Sequence, residues 1–294
     1  VLWGHEELFG MSQTQRGRAA IGIACALLSA VALSACAGNK KEKAELQYNE
    51  RPVEILYADA AEKLDKRYWS EAATAFGEVE RQHPYTEWAR RAILMGAYAQ
   101  YQGNKYDDAI ESAQRFIQLH PGNRSAPYAY YLIAICYFEQ ILDVGRDQSS
   151  TVNALNALQE VVNRYPESVY ARDARIKIDM TRDQLAGKEM EIGRFYLKRN
   201  EHLAAINRFR TVVEKYQTTS HTAEALYRLT EAYLSLGITD QAQASAAVLG
   251  YNFPGSVWYQ DAYKLLNSKG LAPAEAKAAK KSWMSRAFDR LTPF

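Results

Sequence analysis

One residue of the chain stands where covalent chemistry is expected. Cys36 closes the run Leu33-Ser34-Ala35-Cys36, directly behind 15 apolar residues (19–33) that carry no charge, with Arg16 and Arg18 ahead of them. A basic start, an apolar stretch of that length and small residues before a cut make a secretory signal. Fifteen residues are too few to cross a bilayer, which takes about 20. A Cys at the cut makes the pattern a lipobox: the thiol is diacylated, and the peptidase reaches the backbone past small side chains and cleaves just before the Cys. Several acyl chains on Cys36 would anchor firmly, whereas one alone holds marginally. Residue 37 is Ala; an Asp there would retain an enterobacterial-type lipoprotein in the inner membrane, so Ala37 points to the outer one. Met11 is the expected start, with residues 1–10 an upstream extension.

Other chemistry is hard to find. Cys25 leaves with the signal, and Cys136 lies in the apolar helical stretch Leu132-Ile133-Ala134-Ile135-Cys136-Tyr137, so it is expected to be a small buried hydrophobe. No disulfide can form within one mature chain. His83, His120, His202 and His221 are scattered rather than set at metal-ligand spacing, and two of them precede Pro in the same local phrase. There is no Gly-rich phosphate loop and no Ser in a nucleophile elbow, and acidic residues such as Asp107-Asp108 and Glu78/Glu80 are spread along helix faces. Nothing argues for catalysis, for a metal, or for a cofactor other than the covalent lipid on Cys36. The 36 Lys+Arg nearly cancel the 34 Asp+Glu, and removing residues 1–35 takes two of each sign. A dedicated nucleic-acid binder would carry a larger basic excess, so no nucleic acid is expected.

The body must therefore act by presenting surfaces, and its elements are legible as a repeat. Residues 36–51 are polar without an apolar period and read as a tether. From Pro52 apolar residues recur at helical spacing. Five times an Ala is followed 12 residues later by a chain-breaking position: Ala72 and Pro84, Ala109 and Pro121, Ala154 and Pro166, Ala205 and Gln217, Ala242 and Pro254. The Ala lets a neighbouring helix approach closely, and the Pro ends the helix because it lacks an N–H and restricts the residue before it. Ahead of the second, third and fourth of these come Ala97/Gln100, Ala134/Tyr137 and Gly193/Tyr196, a small residue and then a larger one. The pattern resembles the tetratricopeptide repeat, a helix–turn–helix unit of about 34 residues. It predicts an all-α solenoid of five units, at 52–84, 86–121, 125–166, 184–217 and 222–254, within a domain spanning 52–268. The Ala spacings of 37, 45, 51 and 37 leave extra residues. Those at 142–151 are expected to loop, and 168–185 to pack as a helical extension.

In such an array the first helices line an inner groove. Tyr57, Leu94, Tyr98, Tyr101, Tyr128 and Tyr131 fall on them, with Ile135 and Phe138 beyond. Tyrosines supply contact area with a hydrogen-bonding tip, which suits an extended peptide; half of these side chains are expected inside the stack. The fourth unit is the most basic part of the body, with Arg194, Lys198, Arg199, Asn207-Arg208 and Arg210, either a solvated face or a surface for an acidic partner. Residues 269–294 form a basic tail. On a helical wheel Trp283, Ala287 and Leu291 share a stripe with Met284 and Phe288 beside it, the pattern of a helix for a membrane or a partner, or equally of a disordered tail.

Together, the lipobox Cys36, the short tether, five units, an enlarged third unit and Asn207-Arg208 in the fourth resemble the BamD family of lipoproteins. So do Tyr165-Pro166-Glu167-Ser168-Val169-Tyr170 and Asp183-Gln184-Leu185-Ala186 followed by Arg194-Phe195-Tyr196. The likeness covers residues 36–268 and does not reach the tail. It implies a non-catalytic, lipid-anchored protein on the periplasmic face of the outer membrane. Its implied partners are unfolded outer-membrane proteins, a barrel-forming assembly subunit and other assembly lipoproteins. The first units would read the C-terminal strand of an unfolded barrel, and Arg208, with Asn207 and Arg194, would dock on the barrel-forming subunit. The lipobox and repeats would also suit a scaffold for cell-envelope or peptidoglycan machinery.

Overall fold

The computed structural model describes residues 51–271; Cys36, the tether before Arg51 and the tail from residue 272 lie outside the described residues. Ten helices form five pairs: α1 Val53–Asp65 with α2 Trp69–Gln82, α3 Glu87–Gln102 with α4 Tyr106–Leu119, α5 Ala126–Glu139 with α6 Ser149–Arg164, α7 Val169–Lys198 with α8 His202–Lys215, and α9 Thr222–Ser235 with α10 Thr239–Asn252. An eleventh, α11 Val257–Ser268, closes the stack. Each helix packs on the next, and first helices of successive units also approach one another at α1/α3, α3/α5, α5/α7 and α9/α11. No strand occurs among the described residues. The fold is the tetratricopeptide solenoid expected from the repeat.

The packing follows the Ala register. Ala72, Ala109, Ala154, Ala205 and Ala242 are all fully buried. So are the residues four and seven positions on, among them Phe76, Leu158 and Phe209, then Val79, Phe116, Val161, Val212 and Leu249. Those offsets place one stripe on each second helix against its unit. The small residues of the first helices serve the same approach. A Cβ on Gly193 would fall 2.8 Å from Cδ1 and Cζ of Phe209, well inside van der Waals contact.

The turns repeat as closely as the core. Within four units the first helix ends on a left-handed residue: Arg67, Asn104, Asn200 and Gly237. The next N–H then reaches back to the helix, as from Tyr68 to Lys63 O at 2.9 Å and from Lys105 to Gln100 O at 2.9 Å. This Schellman closure satisfies end carbonyls that would otherwise lack donors. The second helices end on an aromatic residue in all five units, at His83, His120, Tyr165, Tyr216 and Phe253, each with φ between −127 and −138°. Each of these carbonyls accepts from the N–H three residues on. Tyr216 makes this turn before Gln217 without Pro's help, which explains why the fourth unit tolerates Gln there. His83 and His120 thus occupy helix-end turns.

Two insertions distinguish the third and fourth units. The expected extension and the fourth unit's first helix are one continuous α7 of 30 residues, so the expected unit boundary at 184 falls inside a helix. No Pro or Gly interrupts the chain between Pro166 and Gly187, and buried Thr181 turns its Oγ1 to Lys177 O at 2.7 Å. The other insertion loops as expected, but ends earlier, because α6 begins at Ser149. It lies against the middle of α7, where Gln184 Nε2 donates to Leu142 O (2.9 Å) and Lys188 Nζ to Gly145 O (3.1 Å).

Candidate functional site

The inner face of the first three units carries an aromatic groove that deepens into a pocket of about 320 Å3. Leu94 and Phe116 are buried and form its floor, and Tyr57, Tyr128 and Tyr170 its aromatic wall. Tyr57 is clamped between Phe76 (5.4 Å between ring centres) and Trp88 (4.9 Å). Tyr170, from the second residue of α7, lies 5.7 Å from Tyr128 and 5.2 Å from Tyr131. Tyr98 and Tyr101 continue the line, 6.4 Å apart, and Gln102 Nε2 donates to the Tyr98 hydroxyl at 3.0 Å.

The expected groove tyrosines are thus brought together, each half-buried. Leu94 and Ile135 are core side chains rather than free surface. Burial pushes the Tyr128 and Tyr131 phenols up, with further contributions from neighbouring tyrosines, and the Tyr131 hydroxyl donates to Asp173. These rings therefore stay neutral at any physiological pH. Cys136 is buried under the same face, which raises its thiol to about 12. It is a protonated, unreactive packing residue.

Charge gathers at the pocket's mouth. Arg90, Arg91 and Arg124 line it against one carboxylate, Glu87. Arg90 Nε donates to Glu87 at 3.0 Å, which holds that carboxyl below its ordinary range. Arg91 Nε lies 3.6 Å from the same carboxylate, with its guanidinium 5.8 Å over the Trp88 ring, and Arg124 has no ion-pair partner among the described residues. The rim therefore has an unmatched positive charge above an apolar floor.

Sequence reasoning missed Tyr170, Trp88 and the arginines, although a signal was present. An aromatic stands two residues after the capping Thr or Ser in Thr86-Glu87-Trp88, Ser168-Val169-Tyr170 and Ser256-Val257-Trp258. Each cap side chain accepts a backbone N–H: Thr86 from Ala89, Ser168 from Ala171, Ser256 from Trp258. The aromatic is thereby set against the first helix of the preceding unit, as Trp88 on Tyr57, Tyr170 on Tyr128, and Trp258 on Tyr227 at 5.5 Å.

The expected docking residues divide. Asn207 and Arg208, on α8, line a shallow pocket of about 230 Å3 with Tyr196 and Thr211, and Arg208 Nη1 lies 3.2 Å from Glu189 Oε2. Exposed Phe195 and Leu203 lie on the same two helices. Arg194 is not in that pocket: it crosses to α9, where its Nη1 contacts Glu224 at 3.0 and 3.1 Å. Most of the fourth unit's positive charge is matched internally, with Arg199 on Glu201 (2.9 Å) and Arg210 on Glu214 (3.2 Å). Counting arginines in the sequence overstated the basic surface, because their carboxylate partners come from neighbouring turns and helices.

The family described as YfiO, outer membrane lipoprotein, matches residues 49–249. The outer membrane protein assembly factor BamD of Caulobacter vibrioides is 61% identical over 259 residues, covering 88% of this chain and 84% of that protein. The BamD of Rickettsia prowazekii is 44% identical over 79% of this chain and 92% of its own length. That of Neisseria meningitidis serogroup A is 33% identical over 80% and 92%. With two thirds of its residues matched by that family and this identity to its relatives, the chain belongs to the BamD family of outer membrane lipoproteins.

Proposed function

We propose that the chain is a non-catalytic component of outer-membrane protein assembly. It is held to the periplasmic face of the outer membrane by lipid on Cys36. In this reading its inner groove binds the C-terminal strand of an unfolded barrel protein, and the α8 surface around Asn207 and Arg208 docks on the barrel-forming subunit. The membership of the family supports the assembly role. The observation that carries the substrate reading is the inner pocket, where Leu94, Phe116, Tyr57, Tyr128 and Tyr170 lie beneath three arginines. A barrel strand alternates apolar and polar residues and is flanked by aromatic girdles. An aromatic last residue would enter the apolar floor while the terminal carboxylate meets the guanidinium rim, where charge-assisted bonds are strong. The test is binding of a barrel C-terminal peptide, free or amidated at its end. The reading requires that a Tyr98→Ala/Tyr131→Ala double variant binds the free peptide at least tenfold more weakly; equal binding removes the groove assignment. For the second surface, Arg208→Glu should abolish co-purification of the barrel-forming subunit at moderate salt, and intact co-purification sinks that site.

A further inference from the structure

The outer face is built differently from the inner one. First helices approach one another along the array, while second helices make no comparable approach. Troughs therefore run between second helices, floored by the first helix between them. One lies between α4 and α6 over α5, with a volume of about 370 Å3.

Its walls are carboxamides, Gln114 and Gln118 on one side and Asn153 and Asn156 on the other, and Tyr130 and Tyr137 contribute to its floor. All four amides are exposed, and none has a side-chain hydrogen-bond partner among the described residues. A carboxamide offers a donor and an acceptor together, the complement of a peptide group. Gln114 and Gln118 stand one turn apart, a rise of about 6 Å, and Asn153 and Asn156 about 4.5 Å. Same-side residues of an extended chain recur roughly every 6.6 Å. The two rails can thus reach alternate peptide groups on both sides of an extended chain, while the tyrosines receive the side chains pointing down. The electrostatics select against charge. Among the lining residues only Glu160 is ionised, and Arg164 holds it at 2.8 Å while lying 5.1 Å over the Tyr130 ring.

We propose that this outer trough is a second binding site, taking an uncharged, extended internal segment of polypeptide. It differs from the inner pocket in needing neither a chain terminus nor a charge. It stands whether or not the inner pocket takes barrel C-termini.

The test uses the full mature chain in detergent and an end-capped nine-residue peptide alternating Thr and Leu, with a central benzophenone residue. Photolysis should place adducts within residues 114–118 and 153–157. Gln118→Leu/Asn156→Leu, with an unchanged melting curve, should lower the affinity at least tenfold, while Tyr128→Ala changes it less than twofold. Adducts confined to the inner face, or wild-type affinity in the double variant, would overturn the proposal. So would displacement of the peptide by chitopentaose, because the trough would then be a saccharide site with a stacking floor.

Discussion

Neighbouring joints of the array are closed by opposite means. At three joints an aromatic residue stacks on the preceding first helix: Trp88 on Tyr57, Tyr170 on Tyr128, and Trp258 on Tyr227. Between the fourth and fifth units the equivalent place in α9 holds Ala223, and the neighbouring Glu224 bonds Arg194 at 3.0 Å and faces Arg228 at 3.4 Å. Arg228 in turn bonds Glu231 at 2.8 Å and lies 5.1 Å over Tyr227. Beside the aromatic wall of the inner pocket Arg124 keeps no ion-pair partner among the described residues, whereas Arg194 and Arg228 of the ionic joint are both paired. The number of arginines in a segment is therefore a poor guide to its surface charge.

Experiments can break or sharpen this contrast. The largest effect should come from Phe209→Ala, which empties a fully buried ring position in the fourth unit. The expected cost is about 3–5 kcal/mol in urea unfolding. Repeat arrays couple mainly to nearest neighbours, so peptide binding by the first three units should survive conditions that abolish docking through α8. Simultaneous loss of both would show that the two ends are not separable. Next, Arg91→Ala/Arg124→Ala should weaken a free C-terminal peptide by about 150-fold or more, since hydrogen bonds to charged groups are worth roughly 1.5–3 kcal/mol each. The amidated peptide should change little; equal losses for both would remove the carboxylate from the reading. A smaller effect is expected from Glu224→Gln. Partly exposed pairs contribute little, so stability should fall by about 1 kcal/mol, with no change in peptide affinity by calorimetry.

The smallest effect concerns pH. Arg90 holds Glu87 below the ordinary carboxylate range. A depressed group keeps its charge until pH falls through its folded pKa, and a peptide carboxylate titrates at about 3.5. Affinity at the inner pocket should therefore vary less than twofold between pH 8 and 5. Protonating Glu87 would remove competition for the arginines, so a marked rise in affinity on acidification within this window would show Glu87 titrating there.

The fold was legible because its two determinants are local. A buried Ala sets the approach of helices, and a breaker 12 residues on ends them, so five copies of one spacing define the array. The α7 boundary was not legible, because extension and repeat helix join without a breaking residue until the join is past. The inner-face tyrosines could be placed by register, but not their partners: Asp173 and Tyr170 meet Tyr131 from the next unit, more than 38 residues along the chain. The split of Arg194 from Arg208 was hidden for a related reason. Both are basic and close in sequence, but they lie on different helices, and each charge is matched by a residue at least 19 positions away.

The long α7 has a mechanical consequence. Tyr170 near its start belongs to the inner pocket, and Tyr196 near its end lines the hollow beside Arg208. The two positions are separated by one unbroken rod, about 39 Å at the ordinary helical rise. The turn that joins the third unit to the fourth, at Tyr165, lies before Tyr170, so no turn falls between these two positions. Here no hinge intervenes. A tilt of even a few degrees imposed at one end must reappear as a displacement of several ångströms at the other, so the distance between the two pockets behaves as a fixed gauge length.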